Sequence, residues 1–245
     1  MVETQGLRMG GLALLLGGLG LATAQMDGIA GAAAFSLFQV FVPALFFAGG
    51  LGGRFPVLAA AGGVAALGAA QIFPAAAASC WIATEIGVLM VLGWVLDRVL
   101  DGLWTRLAAT GAAEFLAAKR GNLLLLAAPL AAVMFTEGGL EGYRGGRPEV
   151  LACALLCYLA AAIFRRRPAL VEAVGERWRI KLIVVLVFTI VLALVHHRYT
   201  LGPLALVPIQ GWRRGLYCLS YSFLGWRWSY ALAGWARAGV ARPLA

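Results

Sequence analysis

Apolar residues in this chain neither alternate nor keep to one helical face. They gather in long runs parted by short clusters of charge. A helix needs about 20 apolar residues to cross a bilayer, with roughly 17 to 25 usual. Residues 7–24, 29–51, 55–72 and 80–96 form four such runs, and 122–136, 150–164 and 180–195 form three more, of which the first two are short. Beyond His197 the pattern blurs. Residues 201–210 are apolar but brief, Arg213 and Arg214 interrupt, and 216–236 carries Arg227 near its middle, so one or two further segments fit. The pattern predicts an all-α, polytopic integral membrane helical bundle of about eight or nine transmembrane helices, in one domain over residues 1–245. The first run admits a second reading. Ala22-Thr23-Ala24 after an apolar stretch has the form of a signal-peptide cleavage site. A retained helix is expected instead, because the run is long for a signal sequence and Glu3 weakens the basic segment before it.

Charge gives the expected helices a direction. With the N-terminus in the cytoplasm, the inner loops hold Arg8, Arg54, Arg98, Arg106, Lys119, Arg120, Arg165, Arg166, Arg167, Arg177, Arg179 and Lys181. The outer loops up to the end of the seventh run hold only Arg144, Arg147 and Arg198. Lys and Arg are retained on the cytoplasmic side of membrane proteins, so twelve against three fixes the expected orientation. Composition agrees with lipid as the solvent: 62% of residues are hydrophobic and 13% charged, where a soluble domain carries about 25% charged. The formal net charge of +9 then points to anionic lipid rather than nucleic acid, since no basic patch is interleaved with aromatics outside the runs. The expected location is a bacterial inner (plasma) membrane. Between 97 and 121, Leu100, Leu103, Trp104 and Leu107 recur at helical spacing and suggest an amphipathic helix lying on the surface.

Polar residues inside the runs are few, and at membrane depth each needs a partner or a task. Glu85 is the carboxylate well inside a run, placed to relay a proton, touch a substrate, or bond a neighbouring helix. Arg227 poses the same question. His196 and His197 close the seventh run, where they serve as interfacial flanks or, since imidazole titrates near neutrality, as a general base. Cys80, Cys153, Cys157 and Cys218 all lie in or beside apolar runs with no CxxC spacing, and read as small packed thiols. Asp97 and Asp101 lie one turn apart, as in the metal signature of CDP-alcohol phosphatidyltransferases. The second pair of aspartates that such a site needs is missing, so no metal is expected.

Four segments carry a resemblance. They are Thr4-Gln5-Gly6-Leu7-Arg8 continuing to Leu19, Val42-Pro43-Ala44-Leu45-Phe46-Phe47-Ala48-Gly49-Gly50, Cys80-Trp81-Ile82, and Gly225-Trp226-Arg227-Trp228 through Leu232-Ala233-Gly234-Trp235-Ala236-Arg237. In order and spacing they resemble the membrane acyltransferase-3 family, which O-acylates sugars and polysaccharides. The resemblance implies acyl-CoA as donor, an envelope carbohydrate or lipid as acceptor, and Arg8 as the residue that meets the donor. It also implies a histidine eleven positions after Arg8, where this chain has Leu19, and another before Trp81, where it has Ser79-Cys80. Moving an acyl group to a hydroxyl needs a base for the hydroxyl proton, which leucine cannot supply. Glu85 and His197 are the remaining nominees. The competing expectation is a non-enzymatic membrane subunit, scaffold or transport component that packs against partner membrane proteins through its Gly- and Ala-rich helices.

Overall fold

The computed structural model describes residues 2–23, 42–52, 55–72, 77–118, 122–136, 148–199 and 212–240. Among these every regular element is helical. In chain order they are α1 (Val2–Thr23), α2 (within 42–51), α3 (Phe55–Ile72), α4 (Ala77–Val99), α5 (Asp101–Ala108), α6 (Gly111–Ala118), α7 (Ala127–Thr136), α8 (Pro148–Arg166), α9 (Pro168–Gly175), α10 (Trp178–Tyr199) and α11 (Trp212–Val240). Proline marks several starts. Pro148 and Pro168 each occupy the first helical position, where a missing N–H costs nothing.

Two runs differ from expectation in shape. The stretch 122–136 is not one helix, because Asn122–Leu126 forms a 3-10 turn and α7 begins at Ala127. Pro129 explains the late start, since proline is tolerated in the first turn of a helix but not in its interior. The stretch after 197 holds one helix over its described part, α11, with Arg227 in its middle. Taken over the described residues, no helix is long and apolar enough to cross a membrane.

The centre of the bundle is α2. Ala44 through Gly52 are all buried, and the Phe47 ring meets Phe164 of α8 and Trp226 and Tyr230 of α11 edge-on at 5.6, 5.7 and 6.1 Å. Such edge contacts suit the ring quadrupoles and add about 0.5–1.5 kcal/mol beyond burial. Close approach on the other sides depends on small residues. Tyr158 of α8 wedges between Gly49 of α2 and Gly93 of α4, where an added Cβ would come within 3.1 and 2.8 Å of its ring. Buried and half-buried polar side chains tie the outer helices in. Gln5 of α1 donates to the Ala233 carbonyl at 2.8 Å, Trp228 of α11 donates to Thr189 Oγ1 of α10 at 3.0 Å, and Thr84 of α4 donates to Gly63 of α3 at 3.1 Å. Three of the segments that carry the acyltransferase resemblance, in α1, α2 and α11, therefore pack on one another.

Candidate functional site: the basic end of the bundle

α8 ends in Arg165-Arg166-Arg167, and Pro168 restarts the chain as α9 in a new direction. The guanidinium groups of Arg165 and Arg166 reach back to the junction of α4 and α5, and that of Arg167 to the end of α5. Arg165 Nη2 donates to Asp97 Oδ2 at 2.6 Å. Arg166 Nη1 stands 2.8 Å from Asp97 Oδ1, an ion pair by distance rather than a well-aligned hydrogen bond, and also donates to the Ala162 carbonyl at 2.8 Å. Its other nitrogens hold Asp101 Oδ1. Arg167 Nη1 donates to the carbonyls of Ala108, at 3.0 Å, and Thr110, at the end of α5 where helix carbonyls lack partners. Asp97 is only 2% exposed, so two arginines around one carboxylate compensate its loss of water. Asp101 is exposed, and the hydrogen bond and charge of Arg166 hold its carboxyl below the ordinary range.

Other helix ends meet here. Arg237 of α11 lies 3.5 Å from Glu172 of α9, and Gly234 and Gly175 let the two backbones approach. Lys181 of α10 donates to the Ala173 and Val174 carbonyls at the close of α9, at 3.0 and 2.6 Å, and Arg177, at φ +50°, turns the chain between the two helices. The first turns of α1 join through Gln5 and through Arg8, whose guanidinium lies over Gly239. Between α6, α9 and α11 an open cleft of about 510 Å³ presents Glu172, Glu176 and Arg237 above Ala117 and Ala173. A cleft of that size has room for a small molecule. No group of three or more His, Cys, Asp or Glu among the described residues could hold a metal ion.

The structure gathers the described basic inner-loop residues at one end but does not bring the three nominated site residues together, and Arg54, Lys119 and Arg120 lie outside the described residues. Arg8 is exposed at the basic end. Glu85 is half-buried on α4, twelve residues before Asp97 and so about 18 Å from that end. The His197 side chain lies outside the described residues. Its backbone closes α10, sixteen residues beyond Lys181 and about 24 Å away, at the opposite end from Arg8. Of the cysteines, Cys157 and Cys218 are buried thiols and Cys153 is half-buried, each without a disulfide, while the Cys80 side chain lies outside the described residues.

Comparison with family models, with curated proteins and with solved structures found no match. Sequence reasoning missed the Asp97–Arg165–Arg166 cluster. A signal existed, since a DxxxD at one run's inner end and an RRRP at another's must face each other if both ends lie on one side. The Asp97 and Asp101 carboxylates, one turn apart as in a metal signature, are engaged by these arginines.

Proposed function

We propose that this chain is an integral membrane protein of acyltransferase-3 type, with its basic end in the cytoplasm of a bacterial cell. It acts in moving an acyl group from acyl-CoA to an envelope carbohydrate or lipid, in a form without the family's histidine. The observation that carries the membrane reading is α10. Ile183, Val187, Phe188, Ile190, Val191 and Leu194 are each more than half exposed, while Thr189 is turned inward to Trp228. Soluble monomers seldom expose a contiguous apolar patch beyond a few hundred Å². Val88, Val95 and Val99 extend the same outward character along α4.

The acyl-transfer reading is supported by the mutual packing of α1, α2 and α11, which carry the resemblance, and by the exposed Arg8 at the basic end, within reach of the phosphates of a cytoplasmic acyl-CoA. The test is purification in mild detergent and measurement of acyl-CoA hydrolysis and transfer. Arg8→Ala lowers turnover to background with the thermal midpoint unchanged, whereas Arg179→Ala leaves turnover intact. Turnover that survives Arg8→Ala overturns the assignment of Arg8.

A second reading, a non-enzymatic membrane subunit or scaffold, is favoured by the outward face of α3. Ala61, Gly62, Ala65 and Gly68 are exposed there, and Gly62 and Gly68 have open space around them. Small residues on a lipid-facing helix allow a partner helix to pack closely. A stoichiometric co-purifying membrane protein, together with no acyl-CoA turnover by the intact chain, decides for it.

A further inference from the structure

The basic end holds two kinds of arginine. Arg165, Arg166 and Arg167 are engaged by carboxylates and helix carbonyls, and Arg237 by Glu172. Arg98 and Arg106 differ. Both are exposed, Arg98 stacks over the Trp94 ring at 5.4 Å, and neither forms an ion pair among the described residues.

Exposed apolar side chains share the helices that carry them. On α5, Trp104 and Ala108 face inward, and the Trp104 indole donates to the Leu96 carbonyl at 3.3 Å. Asp101 projects on the side held by Arg166, leaving Leu103 and Leu107 exposed on the other flank with Arg106 next to them around the helix. Phe115 of α6 is exposed as well. On α4 the outward valines end at Val99, beside Arg98. An outward apolar stripe along α4 therefore gives way to two exposed guanidinium groups outside any ion pair among the described residues, next to a short helix that keeps leucines on its open flank. Amphipathic helices at a bilayer surface have this arrangement, with apolar side chains at the acyl boundary and cations among the headgroups.

We infer that Arg98 and Arg106, with Leu103, Leu107 and Phe115, form a binding surface for the phosphate headgroups of anionic glycerophospholipids in the cytoplasmic leaflet. This deepens the membrane reading and rests on it. The charge is complementary, guanidinium pairs well with phosphate, and the leucines and Phe115 select a lipid over a soluble phosphate. α5 is thereby held flat against the membrane while the Asp97–Arg165–Arg166 cluster fixes its inner side.

The test is titration of phosphatidylglycerol and, separately, phosphatidylcholine into the full chain in mild detergent, with retained lipid counted by native mass spectrometry. The wild type retains phosphatidylglycerol in preference, and the preference shrinks as salt shortens the screening length from about 10 Å to about 3 Å. An arginine at an anionic surface is worth roughly fivefold, so Arg98→Gln with Arg106→Gln lowers the preference by about 25-fold. Arg98→Lys with Arg106→Lys keeps most of it. Equal retention of the two lipids by the wild type, or an undiminished preference in the double glutamine variant, overturns the inference and leaves the membrane reading standing. A wild-type chain that stays in solution without detergent overturns the membrane reading itself.

Discussion

Asp97 is a buried carboxylate whose loss is costly. It is nearly inaccessible and neutralised from two sides, so its removal leaves Arg165 and Arg166 facing each other. Because both arginines retain some contact with solvent, the cost falls below that of a fully buried pair. Asp97→Ala is expected to lower stability by about 1–3 kcal/mol, read from thermal unfolding in detergent, and an unchanged midpoint contradicts the role. Asp101 gives a pH signature. Its carboxyl is held below the ordinary 3.8 by Arg166, so the stabilisation is present above that value and is lost as pH falls through the lower folded value. The stability difference between wild type and Asp101→Asn should stay level from neutral pH to about pH 5 and vanish on further acidification. A difference that grows in acid excludes the ion pair as its source. Neither aspartate's partner could be named from local sequence, because the arginines lie some 65 residues away and meet them only when α8 packs beside α4.

At the scale of elements, the apolar runs gave helix positions well. Each run with described residues contains a helix, and α3 spans the expected 55–72. What periodicity could not give was how helices approach. α3 and α4 pack where Gly63 and Gly87 meet, and a Cβ on Gly87 would stand 2.9 Å from the Ala59 carbonyl. Gly87→Leu should therefore destabilise the hairpin by about 1–3 kcal/mol through overpacking. Gly68→Leu, into open space, should be neutral or slightly stabilising, since glycine is a poor helix former. Equal effects of the two on the thermal midpoint would show that α3 and α4 do not meet through this face. The apolar run at 122–136 begins ahead of α7 because hydropathy is blind to Pro129, which sets where a helix can begin whatever the apolar content.

For the whole molecule, the distribution of arginine gave an end-to-end polarity, and the fold gathers the described inner-loop arginines at one end through the contacts of α4, α8, α9, α10, α11 and α1. Alkaline phosphatase fused within 137–147 should be active, and fused after Arg167 inactive. The reverse pattern would invert the proposed orientation and remove Arg8 from the cytoplasmic acyl-CoA.

The sequence alone determined that the chain is helical, roughly where its helices lie, and that its charge is lopsided, because these follow from local composition and from counting along one dimension. The tertiary structure decided that α2 is the centre, that Asp97 is neutralised by Arg165 and Arg166, and that Arg8 stands far from Glu85 and His197. Those outcomes depend on which helix packs beside which. That choice is made by side-chain shape at close range, between residues whose separation in sequence carries no trace of their separation in space.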